Sequence, residues 1–127
     1  MKIIVLFTVI LALFTYNTEG QPDLKSKAIS QHNFKKLLKK ENAEILDVRT
    51  PEEYNAWHME NAINIDFNNE NFSQQILQLD KNKTYLLYCH SGRRSGKALL
   101  LMYADGFTKV YHLKDGVLYW SGNPQKK

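Results

Sequence analysis

Two periodicities alternate along this chain. Short apolar runs recur at Ala28-Ile29, Glu44 to Val48, Ala62 to Ile65, Thr84 to Tyr88 and Lys109 to Leu113. Between them, apolar residues recur at helical spacing: Phe34, Leu37 and Leu38 within Asn33 to Lys40, Phe72, Ile76 and Leu79 within Asn71 to Leu79, and the run from Ser95 to Tyr103. Short runs bounded by turn residues have the length of strands, whereas apolar positions three and four apart line one face of a helix. The punctuation agrees. Ser30 stands where it can cap the first helix. Thr50-Pro51-Glu52-Glu53 is a helix start, with Thr50 as N-cap, Pro51 at the first helical position and Glu53 placed to close a capping box, and that helix runs to about Trp57. Asp105-Gly106 is a glycine stop. Lys114-Asp115-Gly116 is a turn and Val117 to Trp120 a last short helical turn, while Gln21 to Lys27 and the tail from Gly122 are polar. Strand and helix therefore alternate throughout, which predicts an α/β fold: a mostly parallel central sheet with helices on both faces. Such sheets bind ligands at the carboxyl ends of their strands.

The first twenty residues read differently. Lys2 supplies a short positive region, Ile3 to Phe14 is almost wholly apolar, and Thr18-Glu19-Gly20 puts small residues where a signal peptidase would cut. The apolar run is shorter than the ~20 residues needed to span a bilayer. Residues 1–20 are thus expected to be a secretory signal and 21–127 one domain, exported and periplasmic, with no stable membrane insertion after cleavage. The formal charge of +4 suits small anionic partners. Nucleic acid is not expected as a partner, because the basic residues are scattered and the aromatics are not interleaved with them. Lys35-Lys36 and Lys39-Lys40, flanking Leu37-Leu38, read as a solvated helix face. A monomer is expected.

Chemistry concentrates at the one cysteine, Cys89. A single cysteine makes no internal disulfide, and an unpaired thiol in an exported protein is either intermolecular or reactive. Cys89 opens the run Cys89-His90-Ser91-Gly92-Arg93-Arg94-Ser95, after an apolar strand and before a helix. The N–H groups of such a loop converge, and the helix start adds partial positive charge. Both stabilise an ionised sulfur. Arg93 and Arg94 add full positive charge, a setting for a nucleophile that attacks an anion. One cysteine and scattered histidines lack metal-ligand spacing, so no metal site is expected. His32 and His112 carry no context. Trp57 and Trp120 read as packing or as walls of the pocket.

Three stretches together resemble the rhodanese-like domains. Leu46-Asp47-Val48-Arg49-Thr50-Pro51-Glu52-Glu53-Tyr54 followed by His58-Met59-Glu60-Asn61-Ala62-Ile63-Asn64-Ile65 is similar to that family's paired signature. The Cys89 to Ser95 run resembles its active-site loop. Gly106-Phe107, Val110-Tyr111-His112-Leu113, Asp115-Gly116 and Trp120 resemble its C-terminal motif. Asn61 and Asp115 stand where glycine is common, both at turn positions that Asn or Asp tolerates. The resemblance implies a sulfurtransferase without metal or organic cofactor. Cys89 would take a sulfane sulfur from an anionic donor such as thiosulfate, becoming a persulfide, and a nucleophile or thiol acceptor would remove it. The N–H groups of His90 through Ser95 would cradle the persulfide. Arg94, with Arg93, would attract the donor, Ser91 would offer a hydroxyl, and Ser95 would cap the next helix and brace the loop.

Other residues keep two readings. Asp47 and Arg49 either shape the pocket or form an ion-pair network, for instance Arg49 with Glu53. His58 is an acid or base, or it holds the Ala62 to Ile65 strand. His90 either helps to ionise Cys89 or points away. Two other functions use the same loop. A phosphatase or arsenate reductase cradle needs five residues between cysteine and arginine, but only His90 to Arg93 separate Cys89 from Arg94, and Ser95 holds the phosphatase position. A non-enzymatic sulfur carrier or partner-binding module would still use Cys89.

Overall fold

The computed structural model describes residues 23–40 and 42–122. The signal expected at 1–20 lies outside these residues, as does the tail beyond Gly122. Five strands and four helices alternate: β1 (Ala28–Ile29), α1 (Gln31–Lys40), β2 (Glu44–Asp47), α2 (Pro51–Ala56), β3 (Ile63–Asn64), α3 (Phe72–Leu77), β4 (Tyr85–Tyr88), α4 (Arg93–Ala104) and β5 (Val110–Leu113). Single 3-10 turns at Leu24–Lys27 and Gly116–Tyr119 precede and follow them. The strands pair in the order β1-β5-β4-β2-β3, and every pairing is parallel.

The sheet separates two cores. The four residues of β4 are all buried, and the pleat sends them alternately to the two faces. Tyr85 and Leu87, with Cys89 just beyond, join Leu46, Val48, Phe72, Ile76, Ala98, Leu99 and Met102 under α3 and α4. Leu86 and Tyr88 join Phe34, Ile45, Met59 and Val117 on the other face, where Tyr54 of α2 packs at the edge. A strand buried on both faces reads as a continuous apolar run, as Tyr85-Leu86-Leu87-Tyr88 does. The α/β expectation with helices on both faces is met.

Boundaries differ from the sequence reading where backbone pairing or backbone conformation sets the end of the element. The run Ala62 to Ile65 pairs as strand only at Ile63–Asn64, with Leu46 and Asp47 as register partners. The third helix stops at Leu77, where the Gln78 N–H bonds back to the Gln75 carbonyl. The fourth starts at Arg93, two residues before Ser95, because the left-handed Gly92 (φ 93°) turns the chain directly into the helix. The Thr50 capping box forms as expected, with Oγ1 accepting from the Glu53 N–H at 3.3 Å. Asn61 occupies the left-handed region at φ 63°, the conformation for which asparagine substitutes for glycine. Asp115 sits at φ −102°, which costs an aspartate nothing.

Candidate active site

The order of the strands places the site. From β2 the chain crosses outward to β3 and then returns to β4 on the other side of β2. The crevice beyond the carboxyl ends of β2 and β4 is therefore the switch point of the sheet, where open α/β sheets bind ligands. Cys89 is the first residue past β4.

The sulfur is held by the loop that follows. Cys89 Sγ accepts hydrogen bonds from the backbone N–H groups of Gly92 (3.1 Å) and Ser95 (3.3 Å). Its own S–H points to Ser95 Oγ at 3.5 Å. The Ser95 N–H belongs to the first turn of α4, so an unshared helix donor is spent on sulfur. Cys89 is fully buried, as is Ser95. His90, Ser91 and Arg93 form the exposed side of the loop.

A second segment locks the loop from behind. The Val117 N–H donates to the Cys89 carbonyl and the Leu118 N–H to the His90 carbonyl, each at 3.0 Å. Gly92 and Gly116 sit where the two segments touch. Both have positive φ, 93° and 64°. A Cβ on Gly92 would overlap the Lys114 carbonyl, and one on Gly116 would overlap the His90 carbonyl.

Arg94 and Arg49 are each committed to a carboxylate. Arg94 makes a two-pronged pair with Glu53, Nη1 to Oε1 at 2.7 Å and Nη2 to Oε2 at 3.0 Å. The pair joins α4 on one face of the sheet to α2 on the other. Its hydrogen bond with Arg94 is the main reason the Glu53 carboxyl drops from 4.5 to about 2. Arg94 is raised in turn, first by Glu53, with smaller contributions from Cys89 and Asp47. Arg49 does not meet Glu53, contrary to the pairing suggested by their closeness in sequence. It pairs with Asp47, Nη2 to Oδ2 at 2.7 Å, and donates to the Trp57 carbonyl at 2.6 Å. Burial opposes the Arg49 charge, but the bond and the charge of Asp47 outweigh it and raise the pKa. Asp47 is the register partner of Tyr88 on the face opposite Cys89. Burial, with Asp47 close by, also holds the Tyr88 phenol well above its ordinary range.

This pair makes a stability prediction. Asp47 is fully buried, so Arg49→Ala would leave its carboxylate without a counter-charge. We expect a loss of about 3–5 kcal/mol, the cost of breaking a buried pair from one side. Urea unfolding of the variant measures it, and a loss below about 1 kcal/mol would mean that water replaces the guanidinium.

His58 lies away from the sulfur. It is exposed, its ring stacks on Tyr54 at 3.7 Å, and its Nδ1 bonds to the Tyr54 carbonyl at 2.8 Å. It lines an open recess of about 430 Å³ with Trp57, Met59 and Trp120. The two tryptophans thus wall a different hollow from the crevice at Cys89. Ser95 is not the helix cap expected of it, because Gly92 takes that position. Its hydroxyl instead lies between Cys89 Sγ and Nδ1 of His112, 2.9 Å from the latter. Sequence reasoning missed His112. The signal available was parity: His112 stands two residues after Val110 on a strand, and so shares its face. Among the described residues, no group of acidic, histidine or cysteine side chains is arranged to hold a metal ion.

A parallel α/β domain with one thiol in an amide-lined loop at the switch point is a cysteine-centred α/β domain. The rhodanese-like domain family matches residues 30–123, and the chain belongs to that family. A tRNA uridine(34) hydroxylase of Pelagibacter ubique is 33% identical over 104 residues, covering 81% of this chain and 35% of its own length. The chain thus spans about a third of that relative. The Bacillus subtilis protein YqhL is 31% identical over 101 residues, covering 80% of this chain and 77% of YqhL. Among solved structures, a rhodanese-like domain protein from Staphylococcus aureus is 26% identical, with a TM-score of 0.67, covering 77% of this chain and 94% of that one.

Proposed function

We propose that the protein is a sulfurtransferase that carries a sulfane sulfur as a persulfide on Cys89. The observation that carries this reading is the pair of N–H donors, from Gly92 and Ser95, aimed at Sγ. Two amide dipoles at a helix start are aimed at the atom on which negative charge develops during transfer. The Cys89 thiolate attacks the outer sulfur of a donor such as thiosulfate. The Cys89–sulfur bond forms, the donor's sulfur–sulfur bond breaks, and sulfite departs with the electron pair. An acceptor such as cyanide then attacks the outer sulfur, thiocyanate leaves and the thiolate returns. No metal, redox partner or organic cofactor enters this sequence. Mass spectrometry after thiosulfate treatment tests it, with one sulfur atom added at Cys89 expected. If no sulfane donor leaves that mass while a phosphate ester is hydrolysed, the phosphatase reading replaces it. A sulfur carrier would show the same adduct without turnover to thiocyanate. The amino-terminal apolar segment supports action outside the cytoplasm, in a periplasm.

The Glu53–Arg94 pair sets how strongly an anion is drawn in. Glu53→Gln keeps the capping box, since glutamine serves in that position, but removes the carboxylate that neutralises Arg94. The expected result is a KM for thiosulfate lower by roughly three- to tenfold, with kcat little changed, because a charged fork is freed for the donor. Arg94→Ala should raise the same KM. Unchanged KM values in both variants would take Arg94 out of donor binding. The pair also predicts a pH effect. Glu53 has a lowered folded pKa, so the stability it adds is complete above 4.5 and is lost as pH falls through about 2.

A further inference from the structure

Sulfur transfer by a cradled thiolate does not account for the buried pair behind the sulfur. Ser95 Oγ lies 2.9 Å from His112 Nδ1, 3.2 Å from the Gly92 carbonyl oxygen and 3.5 Å from Cys89 Sγ. His112 is level with Leu87 on the neighbouring strand, one pleat below Cys89 on the same face. Ser95 bridges that step.

A hydroxyl has one proton to give and can also accept. With Nδ1 of His112 bare, Ser95 donates to it and accepts from the thiol. With Nδ1 protonated, the imidazole donates to Oγ and the hydroxyl proton turns away from the ring, to the sulfur or to the Gly92 carbonyl oxygen. The hydrogen bonds thus have two polarities, and they differ by the position of the proton on Cys89.

The geometry points to His112 as the group that takes up the Cys89 proton, through the Ser95 hydroxyl, when the thiolate forms. The S–H bond breaks as a new O–H bond forms on Ser95. The original O–H bond of Ser95 breaks as an N–H bond forms on Nδ1. No proton leaves the site. The thiolate is left accepting from two amides and one hydroxyl, with an imidazolium one hydroxyl away. His112 is a positioning residue here, since it reaches the sulfur only through Ser95. The inference rests on the reading of Cys89 as the nucleophile.

The surroundings leave His112 free for this role. The neighbours on its two sides in the sheet are Ala28 of β1 and Leu87 of β4. From α4 it meets Ser95 and Gly96, whose Cα leaves room for the ring. Of the Leu24–Lys27 turn, Lys25 is exposed, and the Lys27 ammonium sits over Tyr111, which joins the opposite core. Burial lowers the His112 pKa and so opposes the imidazolium, and the thiolate formed with it, one hydroxyl away, supplies the opposing charge that offsets this cost.

The test reads the thiolate directly, by its ultraviolet absorbance against pH with Cys89→Ser as reference, and needs no substrate. In His112→Asn an amide can still bond to Ser95 but cannot take a proton. The midpoint for thiolate formation should rise by about one pH unit, leaving roughly tenfold less thiolate near neutrality. Ser95→Ala should shift it the same way, and the double variant should add little, as expected for groups acting as one unit. Midpoints equal to wild type in both single variants would overturn the relay. Should His112→Asn fail to fold, the His112 ring nitrogens of the intact protein give the answer by NMR. Their titration should move between wild type and Cys89→Ser, and identical titrations would overturn it. The assay also separates the two ideas: shifted midpoints with no sulfur taken from any sulfane donor would refute sulfur transfer and leave the relay standing.

Discussion

Cys89→Ser is expected to reduce thiocyanate formation from thiosulfate and cyanide to background, a loss of roughly a thousandfold or more, the scale seen when a covalent nucleophile is removed. The variant should fold. Serine is close to cysteine in shape, and its hydroxyl can accept from the same N–H groups of Gly92 and Ser95 that now hold the sulfur. The loss would therefore be chemical rather than structural, and unfolding midpoints within about 1 kcal/mol of wild type would establish this. Residual turnover above about one per cent would mean that sulfur passes without a Cys89 persulfide, ending the proposed mechanism. Because Cys89 is fully buried, native alkylation should also be slow compared with the unfolded chain.

The second large effect belongs to a residue with no chemistry of its own. Gly116→Ala puts a methyl group into the His90 carbonyl and 2.6 Å from the Ser91 nitrogen. These are backbone atoms of the Cys89 loop, so no side chain can swing aside. The φ of 64° adds the strain of a left-handed conformation for a residue with a Cβ, about 1 kcal/mol. Relief requires the 116–118 segment to part from the loop, breaking its bonds to the Cys89 and His90 carbonyls. We expect a loss of about 2–4 kcal/mol and little activity even where the protein remains folded. Urea unfolding and the thiosulfate assay measure the two losses separately. A variant with wild-type stability and turnover would show that the loop is not held in register by this contact.

These two residues also show what could be read in advance. Cys89 was legible because everything that marks it is adjacent in sequence: an apolar strand before it, a basic loop and a helix after it. The Thr50–Glu53 capping box was legible for the same reason, since it closes within one turn. Gly116 was legible as a turn but not as a contact. Its neighbour is the carbonyl of His90, brought there by a whole strand and helix of intervening chain.

The ion pairs mark the same boundary. Arg49 and Glu53 are four residues apart, yet the strand end and the helix turn them to different partners. Glu53 meets Arg94, 41 positions away, because α2 and α4 cover opposite faces and converge over the crevice at the carboxyl ends of β2 and β4. His112 meets Ser95, 17 positions away, only once β5 aligns with β4 so that His112 stands level with Leu87.

Periodicity, caps and turn residues are properties of neighbours along the chain, and they determined the α/β alternation, the order of the elements and the place of the thiol. Strand order and register are settled by burying all the apolar faces at once, which no local stretch encodes. That collective packing decided which carboxylate neutralises Arg94 and which histidine stands behind the sulfur.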